Sequence, residues 1–490
     1  YPLAVEGPVL RAVDRLVPGV STVTRLVGYH SMYAAIAAHA GERDLDAAAC
    51  RRLVRRCEVL MAALRHPGEG EGASPPHGVD GVRRFLTPDL DLAGAADEER
   101  ERSYSPRGWG FWGQYGGPAT VLGTVTVREG ALRPGRHECP PAVRETLAPL
   151  LSLAEREVVK EEELAGTGVP APDSPGPAER EWLTGVLTAS GRGAVHVPTE
   201  WEASDRTRRA TLRTLARAVD LHGHRGDDYR ETLCSAVVFG EDLASDPILA
   251  GLPEAESWRG TLLRHYSVGA WRRLWAALVS RVDSGEGGAG RTAGELRDWL
   301  ADRAPSGTLR ALLEDLPPLD APRGRLAPAE RELLAGGDKD PMTSVRLLIV
   351  GALRSRPGHL SERGRAVFLG RQRHRAEFLD PTWVDGLLAD HIDRPAADFA
   401  ARLVDDMLAQ SRRVALAKLR IDPATGGLTI FSRLHVRDER YFRTGDEGDS
   451  EIGTRIHQLG SMAEQLGLFV REGNRPGVTP VGRRVLEVPR

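Results

Sequence analysis

The sequence predicts a mainly α-helical protein built from more than one domain, and three observations carry that expectation. Apolar residues recur at spacings of three and four over most of the chain, and strict apolar-polar alternation is scarce. The length of 490 residues also exceeds the roughly 100 to 200 that one domain usually holds. Hydrophobic residues make up 41% of the chain, which supplies packed cores and excludes wholesale disorder.

The elements follow in order. Between residues 21 and 65, Leu26, Tyr29, Tyr33 and Ile36 share one helical face, and Leu53, Val54, Cys57, Leu60, Met61 and Leu64 share another. The polar break 41–46 between them predicts two antiparallel helices. Residues 66–76, rich in Gly, Pro and Glu, read as a loop. In 103–123, Trp109, Phe111, Trp112 and Tyr115 are interleaved with glycines and prolines, which deny a long helix while the rings demand burial. A stacking platform for bases is the functional alternative; anchoring to the core is the expected role.

A helix is expected over about 142–164, ending in Glu161, Glu162 and Glu163. Residues 165–178, with four prolines, read as an interdomain linker or long exposed loop. The middle reads as helices at 181–190, 204–221, 228–239, 257–282, 292–303 and 307–316, with Thr292 and Glu295 spaced as a capping box. Further helices are expected at 342–354, 362–378 and 396–418, with a hairpin near Gly426, Gly427 and Ile430. The predicted division is therefore 1–164, the linker 165–178, a central helical domain 179–335 and a C-terminal region 340–490.

Sixty-six basic residues stand against 69 acidic ones, a net charge of −3, so any anion site is local. Three of the cations are lysine (Lys160, Lys339, Lys418), leaving 66 − 3 = 63 arginines. This bias fits GC-rich bacterial coding and weakens arginine content as evidence for phosphate binding. No run of about 18 apolar residues is present and the first 30 residues carry no secretory pattern, so a cytoplasmic, non-membrane protein is expected. The four cysteines, Cys50, Cys57, Cys139 and Cys234, form no CxxC pair and are expected to be free thiols.

The lysines exclude two chemistries. None is followed by Ser or Thr as a Walker A loop needs, and none has a carboxylate two residues before it as a PD-(D/E)xK nuclease needs. HExxH and GxSxG are likewise missing from the sequence. The best metal candidate is LHGHRGDD, with His222, His224, Asp227 and Asp228, but a solvated loop is expected there and no metal or cofactor is predicted. Asp390, His391 and Asp393 read as polar groups at a helix end. Asp89 with Asp91 and Asp405 with Asp406 read as capping or surface carboxylates. His30 and Ser31, like Cys57 and Glu58, are sequence neighbours that diverge by about 100° on a helix, so neither makes a nucleophile-base pair by itself.

Residues 453–488 carry one recognisable module. Ile456, Leu459, Met462, Ala463 and Leu466 give a helix, Gly467 a left-handed stop, 468–470 a strand, 472–477 a turn, and Val478 and Thr479 the return. The run Thr479, Pro480, Gly482, Arg483 and Leu486 then opens a closing helix. This segment resembles the C-terminal half of a winged-helix domain of the helix-turn-helix superfamily, with 396–488 as the extent if the preceding helices complete it.

The resemblance implies a helix in the major groove and a wing on the backbone. Arg455, His457 and Gln458 would lie near base edges, and Arg471, Asn474 and Arg475 near phosphates. Residues 401–490 hold 14 Arg and Lys418 against 12 acids, a local +3, while the acidic cluster 446–451 before the helix would repel phosphate. A weaker echo of the motif spans 356–367. The overall layout resembles uncharacterised bacterial proteins of antiphage gene clusters. The expected function is thus a non-catalytic component of a bacterial cytosolic complex that binds double-stranded DNA beside a partner protein, with homo-oligomerisation left open. The alternatives are an adaptor that docks protein through its winged helix, and a hydrolase or nuclease whose site is assembled from distant residues.

Overall fold

The computed structural model describes residues 2–64, 76–100, 102–106, 109–190, 201–282, 289–320, 329–337, 339–370, 378–423 and 426–489. The loop expected at 66–76 lies outside them save for its last residue. The protein is mainly helical, with 59% helix against 8% strand among the described residues. No described helix is long and apolar enough to cross a membrane.

In chain order the principal elements are α1 Gly28–Glu42, α2 Ala47–Leu64, β1 Val125–Arg128, β2 Ala131–Pro134, α3 Pro141–Leu153, α4 Pro177–Thr188, α5 Ala203–His222 and α6 Pro253–Ser280. They continue with α7 Pro341–Ser355, α8 Ala396–Ala417, β3 Leu434–Arg437, β4 Arg440–Arg443, α9 Ile456–Gln465, β5 Phe469–Glu472, β6 Arg475–Val478 and α10 Pro480–Leu486.

The chain divides into two compact units that interrupt each other in sequence. The first comprises Tyr1–Asp14 and Leu233–Thr454; the second comprises Arg15–Thr232 and Arg455–Arg490. This differs from the consecutive division read from the sequence. The helix α8, expected to complete a module with the C-terminal segment, belongs to the first unit, whereas α9 to α10 belong to the second.

In the second unit, α1 and α2 form the expected helix pair and bury Tyr29, Tyr33, Ile36, Val54, Cys57 and Leu60 in one core. The hairpin β1–β2, which the sequence reading did not foresee, adds Val125 and Leu132 to it. Its two-residue turn, Glu129-Gly130, has both φ values positive, at 51° and 81°, as the right-handed strand twist requires. The helix expected over 142–164 stops at Leu153. Val158 and Val159 then pair with Leu90 and Asp91 as a short ribbon, and the triple glutamate opens a separate short helix, Glu161–Ala165. Carboxylates are favoured at that end by the helix dipole. The proline-rich stretch lies inside the second unit, packed against α1: the Gly28 amide donates to the Pro172 carbonyl at 2.9 Å. A Cβ at Gly28 would lie 2.8 Å from the Pro172 backbone, so only glycine admits this contact.

The first unit is organised by α6, whose stripe Trp258, Leu262, Trp271, Leu274, Trp275 and Leu278 is buried as its spacing predicts. The helix α7 supplies Val345, Leu348, Ile349 and Ala352 to the unit's apolar interior, and α8 supplies Phe399, Leu403, Val404 and Met407. The expected capping box forms, with the Glu295 amide donating to Thr292 Oγ1 at 3.2 Å and the Thr292 amide to Glu295 at 2.7 Å. Arg291–Thr292, β4 and β3 make a three-stranded antiparallel sheet with β4 central. The hairpin expected near Gly426 is present as Arg420–Ile421 paired with Leu428–Thr429.

Candidate functional site

The C-terminal segment folds locally as its sequence dictates. Gly467, at φ 71°, ends α9, and the Leu468 amide closes the turn on the Ala463 carbonyl at 2.8 Å. β5 and β6 pair from Phe469↔Val478 to Glu472↔Arg475 around Gly473. Thr479 caps α10 by accepting from the Gly482 amide at 3.0 Å. A Cβ at Gly482 would lie 2.1 Å from the Leu468 carbonyl, which explains a glycine where α10 meets the ribbon.

The packing around this segment draws on residues more than 200 positions away. The Tyr229 ring packs against α9, 2.3 Å from where a Gly460 Cβ would stand, and its hydroxyl donates to Glu464 at 2.6 Å. Gly223 closes on Pro476 of β6 in the same way. Arg483 pairs with Asp220 of α5, and Arg209 donates to the Val485 carbonyl at 3.0 Å.

Against this frame the six expected DNA contacts separate into two groups. Arg455, at φ 61°, donates to the Val20 carbonyl at 2.9 Å. His457 Nε2 lies 3.4 Å from Asp228, and the hydrogen bond from His457, joined by one from the Glu231 amide, holds that carboxyl well below the usual range. Gln458 is half-buried on the same helix. Arg471 donates to Glu464 at 2.9 Å, with its guanidinium 4.8 Å from the Tyr229 ring centroid. Asn474 and Arg475 are exposed at the ribbon turn. A Cβ at Gly226 would lie 3.9 Å from Arg475 Cγ and 4.0 Å from Asn474 Cβ, so the 222–228 loop flanks the ribbon, with His224 and Arg225 exposed. Arg225 is the neighbour that the sequence reading did not include, and nothing local in the sequence marks it. Gln465 is a second: its side chain accepts from the Val27 amide at 2.9 Å and donates to the Arg25 carbonyl at 2.7 Å.

The LHGHRGDD stretch does not converge. His222 is buried, His224 is exposed, and Asp228 caps the following helix by accepting from the Glu231 amide at 2.8 Å. Among the described residues no group of three or more His, Cys, Asp or Glu side chains could hold a metal ion.

The aromatic-glycine segment is anchored to the core through a buried carboxylate. Phe111 and Tyr115 are buried, and Trp112 packs edge-on against Phe111. Glu58, fully buried on α2, accepts from the Tyr33 hydroxyl at 2.7 Å, the Tyr104 hydroxyl at 2.5 Å and the Phe111 amide at 2.7 Å. Desolvation by burial raises its pKa. A Cβ at Gly110, whose φ is 78°, would lie 2.5 Å from the Glu58 carboxylate oxygens, so a glycine is needed where the backbone approaches this group. Trp109 alone of the four rings is exposed, at 52%, and lies beside His77.

Ser105 Oγ lies 2.7 Å from His77 Nε2, a pair invisible in the sequence because 28 positions separate them. Ser105 is buried and its hydroxyl also reaches the Pro106 carbonyl at 3.3 Å; burial and the Arg55 charge push His77 down to about 4. A base that weak and a hydroxyl that hidden make a lock for the segment. Ser31 donates to Glu179 at 2.5 Å and Cys57 is a buried thiol pushed above its ordinary value by burial. Asp91 accepts from the Gly94 amide at 2.9 Å as a cap, Asp406 accepts from Arg402 at 3.0 Å, and Asp393 accepts from Arg310 at 2.8 Å. His391 bonds the Leu387 carbonyl at 3.0 Å at the end of helix Pro381–His391.

His30 is fully buried, and neither ring nitrogen has a hydrogen-bond partner among the described residues. Burial, reinforced by Arg208, pushes its pKa down to about 4. The folded state therefore refuses a proton that the unfolded chain takes below about 6.5, so this contribution to stability is lost as pH falls from about 6.5 toward 4. His30→Leu is expected to flatten the acid limb, gaining on the order of 3 kcal/mol relative to the parent between pH 7 and 4. Urea melts at a series of pH values check this, and a difference independent of pH would refute it.

No protein-family model, curated protein or solved structure matches this chain.

Proposed function

We propose that the protein is a non-catalytic assembly component, and that its C-terminal module, winged-helix in type, serves packing and protein docking instead of base reading. What supports this reading is the state of α9. His457, Glu464 and Gln465 along its accessible side, and Arg455 at its start, are already bonded within the second unit. Asp228 and Glu464 also place two carboxylates at the face that a DNA reader would press against phosphate. Residues 222–232 hold two arginines and three carboxylates, and residues 455–478 hold three arginines and two carboxylates, so this edge carries 5 cations against 5 acids. A surface without a positive balance lacks the counterion-release term that dominates DNA affinity.

Double-stranded DNA is the second reading, favoured by the exposure of Asn474, Arg475 and Arg225 at the ribbon turn. An electrophoretic shift at about 50 and about 200 mM salt separates the two, because phosphate contacts make affinity fall steeply over that range. The assembly reading predicts weak retention of duplex DNA at the lower salt, unchanged by Arg455→Ala, Arg471→Ala or Arg475→Ala. A shift that Arg475→Ala abolishes would replace it with the DNA reading.

A further inference from the structure

We propose that the groove between the C-terminal end of α8 and the edge strand β3, within the first unit, docks an extended acidic and apolar peptide segment of a partner protein. The inference names a partner class for the assembly role above and rests on that role.

The first observation is the concentration of exposed apolar side chains. Among the described residues, seven of the fourteen large hydrophobic side chains left exposed fall between 416 and 436: Leu416, Leu419, Ile421, Leu428, Ile430, Phe431 and Val436. Ile421 is 66% exposed, Leu416 62% and Val436 56%. Scattered apolar residues on a surface need no explanation, whereas a contiguous cluster marks an interaction site.

The second observation is shape. Four of them, Leu416, Leu419, Ile430 and Val436, line a groove of about 400 Å³ together with Trp275, Leu408, Ala415 and Leu434. An adjoining depression of about 320 Å³ shares Ile430 and Ser432 with it. Strand β3 forms one wall and pairs only with β4 among the described strands, so its outer edge presents a row of backbone donors and acceptors. An added strand satisfies such an edge and drops alternate side chains into the pocket beside it.

The third observation is charge. Residues 412–443 carry eight cations, Arg412, Arg413, Lys418, Arg420, Arg433, Arg437, Arg440 and Arg443, against Asp422, Asp438 and Glu439. Arg440 and Arg443 are paired with Glu295 and Asp446, at 3.6 and 3.0 Å. Arg412 lines the groove itself, and Lys418 and Arg433 line the adjoining depression. The chain's own acidic stretch already uses this chemistry: Glu447 lines the second depression and accepts from the Trp275 indole at 3.4 Å. An apolar floor under a cationic rim fits a strand whose apolar and acidic residues alternate, because period two sends one set inward and the other to the rim. Trp275 is buried and the exposed Phe431 already carries the Arg420 guanidinium 5.5 Å from its ring centroid, so the accessible contact is mainly aliphatic and offers little to a nucleic-acid base, which is bound by stacking on aromatic rings. A concave slot beside a strand edge likewise suits a peptide better than a flat lipid surface.

The test uses the full chain and a fluorescein-labelled octapeptide in which Asp or Glu alternates with Leu or Ile, read by anisotropy. Saturable binding in the tens of micromolar is expected. Leu416→Asp, Val436→Asp and Arg412→Glu are each expected to weaken it roughly tenfold, a change of about 1.4 kcal/mol. Leu416 and Val436 are exposed, so these variants should keep the parental melting curve, and a curve left unchanged makes the loss a binding effect. Equal binding of a peptide with Lys in place of the acids, or affinity untouched by all three variants, would overturn the proposal. So would stronger binding to phosphatidylserine vesicles or to oligo-dT than to the acidic peptide. Failure here leaves the DNA experiment unaffected, since that one perturbs Arg455, Arg471 and Arg475 in the other unit.

Discussion

Glu58→Ala is expected to lower the unfolding free energy of the second unit by about 4 kcal/mol, the cost of orphaning three buried donors at roughly 1 to 3 kcal/mol each, less partial collapse. The Tyr33 and Tyr104 hydroxyls and the Phe111 amide all converge on this carboxylate, and all three residues are buried. Tyr33 and Phe111 also pack edge-on at 4.9 Å, so a Tyr33 that turns to seek a new acceptor gives up ring contact as well. Glu58→Gln should fall between parent and alanine, because the amide oxygen still accepts while the NH2 can only oppose a donor. Urea denaturation followed by tryptophan fluorescence reads both, with Trp109 and Trp112 as local reporters. An alanine variant within about 1 kcal/mol of the parent would mean that the aromatic segment holds itself without the carboxylate.

Much of this arrangement was half legible in the sequence. The concentration of rings at 109–115 demands burial by composition alone, and helical spacing places Tyr33 and Cys57 inward. Glu58 offers no such signal: on α2 it is a lone acid among apolar residues, and its partners come from helix α1 and from a segment about 50 positions downstream. The same division holds at the C-terminus. Helix, stop, ribbon and closing helix are written in local rules, from Gly467 to the Thr479 cap, and the observed bounds of α9, Ile456–Gln465, follow the expected ones. What α9 faces is not local. Asp228, Tyr229 and Val20 reach it through the fold of the second unit, whose two segments are separated by 222 residues, from 233 to 454. No linker composition marks that interruption, since the chain leaves within the helix Tyr229–Val237. The hairpin β1–β2 is illegible in the sequence for another reason: its strands are four residues each, only two repeats of an alternating pattern, and Glu-Gly is a less familiar carrier of two positive φ values than Asn-Gly.

The second large effect is expected at Asp205, where a buried ion pair ties three stretches of the second unit together. Arg208 is fully buried and donates to the carbonyls of Leu187 at 3.0 Å, Pro18 at 3.2 Å and Val186 at 2.9 Å, while pairing with Asp205 at 2.8 Å. Asp205 also accepts from Arg136 through both oxygens at 3.0 Å and from the Glu202 amide at 3.1 Å, closing the N-terminus of α5. Burial pushes this carboxyl up, but the neighbouring His137 ring, 3.8 Å away, and the charge and hydrogen bond of Arg208 outweigh it and hold the group well below the usual carboxylate range. Its contribution is therefore present above about pH 4 and lost as pH falls through the depressed folded value.

Asp205→Ala removes the counter-charge and leaves a guanidinium without compensation in the interior, a defect that typically costs about 3 to 5 kcal/mol. Arg208→Met alone strands Asp205 less severely, because Arg136 remains, though it frees three carbonyls. The double variant should then be less destabilised than the sum of the singles, since each partner's removal spares the other an unpaired charge. A coupling of about 2 kcal/mol or more in that cycle, read by chemical denaturation at pH 7, marks the pair as one unit of structure. Strict additivity would show instead that Arg208 is held by the carbonyls of residues 18, 186 and 187, with Asp205 acting only as the cap of α5.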